Sequence, residues 1–196
     1  GYSDIAIGTA KLFGIELISN FKFPYFSSNI SDFWKKWHIS LSSWFRDYLY
    51  YPIGGSKEGF IKTIRNLFIV FLLSGLWHGA NLTFLAWGLC HAMIYMAWFL
   101  YRLLKRLLHI KSKKRNRIFK LFEEAYQVIL TFSSVTFAWV FFRSPSLEQS
   151  LNYISSILSN FSFPLTNRSG LIFILPLITL EYFMKNNERN FFITNR

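Results

Sequence analysis

Residues 82–104 read LTFLAWGLCHAMIYMAWFLYRLL, an apolar and aromatic run whose exceptions are Thr83, His91 and Arg102. A helix of this length crosses the roughly 30 Å of hydrocarbon in a bilayer. We therefore predict that this run is a transmembrane helix and that the chain is a membrane protein.

The composition points the same way. Hydrophobic residues make up 52% of the chain and aromatic residues 20%, which is more than a soluble domain of this length needs for one core. The formal net charge is +12, but the basic residues cluster beside apolar runs and do not interleave with aromatic residues as on an RNA-binding surface. We therefore exclude a nucleic-acid binder.

A basic segment follows the first span. Residues 102–120 contain nine Lys or Arg and no acidic residue. A short basic loop between two apolar segments is the positive-inside signature, and it suits a surface of anionic lipid headgroups. We predict that this loop is cytoplasmic and that the protein is a multi-pass protein of the inner or plasma membrane.

Other apolar runs predict an all-α, polytopic transmembrane protein with about three to five membrane helices. Residues 125–142 form a second span. Residues 170–184 are short and include a proline and a glutamate, so a kinked or partly protein-buried helix fits as well as a full span. Residues 67–77 form a half-span, a re-entrant helix, or part of a longer helix that begins at Ile61.

Residues 31–49 have the pattern of a single amphipathic helix. Its polar positions face away from an apolar face that carries a histidine. Tryptophans beside lysines suit the headgroup zone, so we predict an interfacial helix that ends before Pro52. The apolar face is made of Trp34, Trp37, His38, Leu41, Phe45 and Tyr48.

The four histidines, His38, His78, His91 and His109, do not have the spacing of a metal site, and Cys90 has no second cysteine to join it. We therefore predict neither a bound metal nor a bound cofactor, and we interpret Cys90 as a packing residue.

His78 is the strongest candidate for chemistry. It lies in SGLWHGA (74–80), after a run without ionisable residues and before Gly79, where little side-chain bulk keeps a substrate away. An imidazole in apolar surroundings is uncharged and accepts a proton as a general base must, although a packed core histidine has the same surroundings. His38, on the apolar face of its helix, is expected to point toward the same cavity. For His91 we favour a hydrogen bond to a neighbouring helix over catalysis.

Several of these motifs resemble one family. SDFWKKWHISLSSWFRDYLYYPIGGSK (31–57) and RNLFIVFLLSGLWHGANLTFLAWGLCHA (65–92) are similar to the membrane-bound O-acyltransferase superfamily, in particular to its bacterial alginate O-acetyltransferase branch. That branch also includes peptidoglycan O-acetylating and teichoic-acid D-alanyl transfer proteins. GYSDIAIGTAKLFG (1–14) and FAWVFFRS (137–144) resemble it as well.

The resemblance implies roles for particular residues. His78 matches the family's catalytic histidine, and His38 matches a second functional histidine of the site. Substrate contacts are expected from six residues near these two histidines, which are Trp77, Gly79, Asn81, Trp37, Arg46 and Asp47. For Arg46 and Asp47, a salt bridge that fixes the loop is the favoured role.

The implied reaction is transfer of an acyl group, most simply acetyl, from a thioester to a hydroxyl of an exported polysaccharide or cell-wall glycan. The donor is acetyl-CoA or an acyl carrier protein, and the resemblance implies an extracytoplasmic acetyltransferase partner. The alternative is a membrane transporter or scaffold in which His78, His91 and Glu181 form a proton or substrate path.

The resemblance also bears on domain organisation. Residues 1–196 are interpreted as the C-terminal part of one membrane-embedded acyltransferase domain, best supported over 1–145, with terminal helices in 146–196. The resemblance implies a tunnel enclosed by many transmembrane helices, most of which come before this region in family members. The isolated chain is therefore not expected to close such a tunnel or to be active alone.

Overall fold

The computed structural model describes residues 2–109, 116–159 and 169–184, and over these residues it contains helices and no strand. A 3₁₀ turn at Pro24–Phe26 and a π-helical turn at Arg46–Tyr50 accompany the α-helices. The α-helices are α1 (Tyr2–Leu12), α2 (Ile30–Lys36), α3 (Ile39–Phe45), α4 (Phe60–His78), α5 (Leu82–Leu107), α6 (Arg117–Arg143), α7 (Leu147–Ser159) and α8 (Ser169–Met184).

Three of the described helices, α4, α5 and α6, are long and apolar enough to cross a membrane. This confirms the polytopic helical prediction and extends the span predicted at 125–142 toward its N-terminus. It also decides between the alternatives for residues 67–77, which belong to the longer helix that begins at Phe60. The helix α8 contains Pro176 and is too short to be counted among the three.

The three long helices run in alternating directions. At one end of the α4–α5 pair, the rings of Phe60 and Phe99 stack with centroids 5.8 Å apart. At the other end, Asn81 Nδ2 donates a hydrogen bond of 3.1 Å to the carbonyl of Pro145, just beyond α6. The α4–α5 turn therefore lies at the same end of the bundle as the C-terminus of α6. The opposite end leads into the basic segment, of which residues 110–115 lie outside the described residues.

Two glycines allow α4 and α5 to cross at backbone contact. A Cβ atom on Gly75 would lie 2.4 Å from the carbonyl oxygen of Phe84, and one on Gly88 would lie 2.4 Å from that of Phe71. Each glycine thus faces the backbone of the partner helix. Because lipid tails are as apolar as the side chains, such close packing, rather than the hydrophobic effect, holds membrane helices together.

Helix α2 inserts into the bundle. Ile30 and Phe33 are buried against the long helices, and Trp34 packs against all three buried clusters of the core. The hydroxyl of Tyr95 on α5 donates to Ser31 Oγ over 3.2 Å. Trp34 and Trp37 of the predicted apolar face therefore pack on protein, whereas Tyr48 of the same face is 70% exposed and Trp44 in α3 is 54% exposed.

The prediction of one continuous helix over residues 31–49 is wrong, because the segment forms two separate helices, α2 and α3. The chain leaves helical geometry at Trp37 and His38, between α2 and α3. The preceding segment stabilises this break, because the Asn20 carbonyl accepts from the N–H of Ile39 and the Asn20 side chain accepts from that of Ser40. Periodicity could not reveal these bonds, since the broken helix keeps nearly the same apolar pattern on both sides.

Candidate functional site

His78 is the last residue of α4, at the tight turn into α5, and its ring is half-buried among aromatic rings. Edge-to-face contacts join it to Trp77, Trp87 and Phe142, with centroids 4.9, 5.3 and 4.9 Å away. Phe84 lies at 6.1 Å. The imidazole is thus held in an apolar corner with one side open.

Gly79 makes this corner possible. Its φ of 153° is one that L side chains rarely adopt, and an added Cβ would lie 2.8 Å from Cε2 of Phe84. Its N–H donates to the Leu76 carbonyl over 3.1 Å, which closes the end of α4. A side chain at this position would displace the ring that packs against His78, and the Gly79 N–H is already engaged by protein.

His38 lies at the break before α3 in a left-handed conformation, with φ 44° and ψ 56°. This conformation is uncommon for a residue other than glycine and costs about 1–3 kcal/mol, which the surrounding structure must offset. Its ring contacts Phe21 at 6.1 Å and Trp77 at 6.2 Å. Its Nδ1 is buried and has no hydrogen-bond partner among the described residues.

The structure brings His38 and His78 together around Trp77. Both imidazoles meet the Trp77 ring edge-to-face, with centroids 6.2 Å away for His38 and 4.9 Å away for His78. Two groups able to donate or accept protons thus flank one indole. Forty residues of chain separate them, and only the break after α2 and the end of α4 make them neighbours.

The neighbours expected to bind substrate have structural engagements of their own. Asn81 caps α5, because its Oδ1 accepts from the N–H of Thr83 over 3.0 Å while its Nδ2 holds Pro145. Trp37 packs against Phe33 at 5.5 Å and Trp139 at 5.2 Å, within the core. Substrate contact by Asn81 and Trp37 stays a prediction.

Arg46 and Asp47 form the salt bridge that the sequence analysis favoured. Arg46 Nε lies 2.8 Å from Asp47 Oδ1, and Arg46 Nη2 lies 3.1 Å from Asp47 Oδ2. The hydrogen bond from Arg46 holds the pKa of the Asp47 carboxyl below its usual range. Both side chains are about half exposed, so solvent screens the pair and its effect on stability is small.

A cavity of about 400 Å³ lies between α2–α3 and α4, and neither candidate histidine lines it. Its polar wall includes Lys35, Arg46 and Ser42, while Phe71 contributes to its apolar floor. Ser74, also in its lining, is one helical turn before His78 on α4. The cavity therefore ends close to the histidine pair without containing it.

His91 differs from its prediction. It is 0% exposed, but neither ring nitrogen has a hydrogen-bond partner among the described residues. The expected hydrogen bond to a neighbouring helix is therefore wrong for this part of the molecule. The reason is its surroundings, since four aromatic rings enclose it. They belong to Phe33, Trp34, Phe71 and Trp87.

Sequence reasoning missed the three aromatic residues that enclose His78 from α5 and α6: Phe84, Trp87 and Phe142. Phe142 lies in FAWVFFRS, which carried part of the resemblance but no assigned role. A helical pattern indicates which side of a helix is apolar, but it does not indicate which distant residue that side meets. Among the described residues, no three His, Cys, Asp or Glu side chains lie together as a metal site requires. Cys90 is buried in the core, as predicted.

Comparisons with known proteins agree with these motifs. Probable alginate O-acetylase AlgI of Pseudomonas syringae is 45% identical over 148 residues, covering 76% of this chain and 26% of the relative. Peptidoglycan O-acetyltransferase of Helicobacter pylori is 39% identical over 157 residues, covering 80% and 28%. Teichoic acid D-alanyltransferase of Bacillus subtilis is 40% identical over 101 residues, covering 48% and 26%.

The chain thus spans about a quarter of the length of these relatives. The model of the membrane-bound O-acyltransferase family matches residues 1–140, a range that includes both candidate histidines and all three long helices except the last residues of α6. The chain therefore belongs to the membrane-bound O-acyltransferase family.

Proposed function

We propose that this chain is part of a longer O-acyltransferase, called the full-length parent below, that moves an acyl group, most simply acetyl, from a thioester toward a hydroxyl of an exported polysaccharide or cell-wall glycan. The observation that carries the proposal is the meeting of His38 and His78 at Trp77 in an aromatic corner. The relatives support the reaction class, because their names describe acyl transfer to alginate, peptidoglycan and teichoic acid.

His78 acts as the general base. The acceptor oxygen forms a bond to the thioester carbonyl carbon while its proton passes to the His78 ring, and collapse of the tetrahedral intermediate breaks the C–S bond and returns the proton to the thiolate. A positioned base contributes about 10²–10⁴-fold to such a step. The apolar rings around His78 favour the uncharged imidazole that the role needs.

Charge that develops on the carbonyl oxygen needs a hydrogen-bond donor. The Gly79 N–H already donates to the Leu76 carbonyl. The remaining candidate donors beside His78 are the His38 ring and the Trp77 indole N–H. His38 suits this role because its ring contacts Trp77 and its buried Nδ1 has no hydrogen-bond partner among the described residues. We assign His38 to the stabilisation of this charge.

The donor binds in the cavity between α2–α3 and α4. Its volume is within the range of small-molecule sites, and its wall includes the cationic side chains of Lys35 and of Arg46, which is paired with Asp47. Acetyl-CoA and the prosthetic arm of an acyl carrier protein both carry phosphate, which such side chains bind. Ser74 lines this cavity one helical turn before His78, so a thioester in the cavity approaches the base from the N-terminal side along α4.

The basic segment suggests how the protein is oriented in the membrane. We place the protein in the inner or plasma membrane as a multi-pass protein, with residues 102–120 on the cytoplasmic side. The α4–α5 turn with His78 then lies toward the outer side, where a separate extracytoplasmic acetyltransferase can receive the acyl group. The transporter or scaffold alternative has no comparable support, because the relatives are named as an O-acetylase, an O-acetyltransferase and a D-alanyltransferase.

Ester-linked acetate on surface glycan tests the proposal. Cells that express the full-length parent are compared with cells that express His78→Ala at matched membrane abundance, and His109→Ala, an exposed histidine at the end of α5, is the matched control. We expect acetate to disappear in His78→Ala and to persist in His109→Ala. Unchanged acetate in His78→Ala would make His78 a packing residue and would favour a transporter or scaffold.

A further inference from the structure

The core contains a cluster of buried ring nitrogens that the proposed reaction does not use. Trp34, Trp87 and His91 contact one another, with centroids 6.0 Å apart between the indoles and 4.9 Å from each indole to the imidazole. Nε1 of both tryptophans and both ring nitrogens of His91 are buried without a hydrogen-bond partner among the described residues. Three helical segments supply the cluster and its surroundings, namely α2, α4 and α5.

The packing around His91 makes this cluster costly unless its polar atoms are satisfied. Phe33 and Phe71 lie nearly parallel to the imidazole, at 8° and 18°, and offer it no hydrogen bond. Buried polar groups without partners destabilise a fold, so a phenylalanine would be the better residue here if packing were the whole role. His91 is nevertheless the largest fully buried side chain of the described residues.

The chemistry of the cluster matches one small ligand. Each indole N–H donates, and a neutral imidazole donates from one nitrogen and accepts at the other. A water molecule accepts two hydrogen bonds and donates two, and internal waters in proteins usually make about three bonds to otherwise unsatisfied groups. One water molecule can therefore accept from both indole N–H groups and donate to the acceptor nitrogen of His91, which makes three bonds.

We propose that Trp34, Trp87 and His91 bind one internal water molecule that fixes the Trp87 ring, and that His91 is thereby a positioning residue for His78. Trp87 is the link, because its ring contacts His91 at 4.9 Å on one side and His78 at 5.3 Å on the other. It is 3% exposed and has few alternative positions. The part that concerns His78 rests on the proposed function, whereas the water site does not.

The first test is a structure of the full-length parent at a resolution that shows ordered water. We expect a density peak within hydrogen-bond distance, about 2.7–3.2 Å, of a His91 ring nitrogen and of at least one indole Nε1. A structure in which these nitrogens bond only to protein groups, or have no neighbour at all, overturns the water site. This readout does not depend on whether the parent is an acyltransferase.

The second test uses variants of the full-length parent. His91→Phe keeps the ring and removes the hydrogen bonds, so we expect an unfolding temperature lowered by several degrees and a several-fold lower kcat with KM unchanged. His91→Gln keeps one donor and one acceptor and is expected to recover most of both. If His91→Phe matches or exceeds the wild type in stability and kcat, the ring only packs and the proposal fails.

A third variant separates the two halves of the proposal. Trp87→Phe removes the indole N–H but leaves an aromatic ring against His78. If water fixes Trp87, combining Trp87→Phe with His91→Phe costs less than the sum of the single losses, because both act on one network. Additive losses contradict the coupling. A parent without acyl transfer in any form contradicts the proposed function but leaves the stability comparison intact.

Discussion

Two positions of one helix hairpin give the same side chain opposite surroundings. His78 lies at the α4–α5 turn, half-buried, with one side open beside a glycine, whereas His91 lies on α5 with no exposed surface inside an aromatic cage. Trp87 touches both imidazoles. The comparison teaches that access, and not aromatic surroundings, separates a candidate for chemistry from a candidate for support.

The sharpest way to break this comparison is to make the same substitution at both histidines. We expect His78→Gln to reduce acyl transfer by the full-length parent by about 10²–10⁴-fold, because the amide cannot act as the base. We expect His91→Gln to retain most of the activity. The rate of acetyl transfer by purified protein is the measurement, and similar losses in both variants would remove the distinction.

The hairpin itself sets the second prediction. Gly88→Ala places a Cβ about 2.4 Å from the Phe71 carbonyl oxygen, so the helices must separate, and we expect a loss of about 1–3 kcal/mol in stability. Because the crossing of α4 and α5 positions both His78 and His91, the surroundings of both histidines should be destabilised. Thermal unfolding of the full-length parent measures the loss.

Gly8→Ala in α1 is the matched control, since a Cβ there meets nothing within 4 Å. We expect it to leave the unfolding temperature unchanged or slightly higher, because alanine favours a helix. An equal loss in both variants would show that the Gly88 crossing is not what holds the hairpin.

The third prediction acts on the His78 end alone. Gly79→Ala combines an unfavourable φ with a collision against Phe84, so we expect a loss of activity of about tenfold or more from backbone strain of about 1–3 kcal/mol. The ratio of its activity loss to its stability loss should exceed that of Gly88→Ala. Equal ratios would mean that the turn only stabilises the fold.

Asn81 gives a smaller effect. Asn81→Ala removes the cap of α5 and the bond to Pro145, and we expect a loss of about 1 kcal/mol in stability with KM for the acceptor unchanged. Asn81→Asp keeps the capping oxygen and should recover most of the stability. A raised KM in the stable Asp variant would show that the amide binds substrate.

The smallest effect is expected at Arg46 and Asp47. A carboxyl with a lowered pKa adds stability above its ordinary pKa, and this contribution is lost as the pH falls through the lowered value. Because solvent screens the exposed pair, its contribution at neutral pH is small, and Asp47→Asn should leave the unfolding temperature unchanged. Arg46 also lines the proposed donor cavity, so Arg46→Gln should raise KM for the thioester donor several-fold. Unchanged KM in Arg46→Gln would remove it from the donor site.

Much of the fold was predictable because a bilayer demands long apolar helices. The span at 82–104 was found almost to its ends, since neither its composition nor its length allows another structure in lipid. The break at Trp37 was not predictable, because it depends on hydrogen bonds from Asn20, which lies outside the amphipathic pattern. Local periodicity carries no information about such tertiary bonds.

The candidate site divides along the same line. Small residues beside His78 and the apolar position of His38 indicated the two histidines before any contact was known. The aromatic corner could not be found this way, because Phe142 reaches His78 from another helix after a long connection. The cage around His91 was missed because a lone histidine in an apolar span is expected to find a hydrogen bond on a neighbouring helix.

Chemical rescue tests the central claim most directly. Acetyl transfer by the purified full-length parent is measured for the wild type and for His78→Ala, with and without added imidazole, at equal amounts of folded protein. The account predicts that His78→Ala loses transfer and that imidazole, which can enter the open side of the corner, restores part of it. Transfer by His78→Ala at the wild-type rate without imidazole would contradict the account.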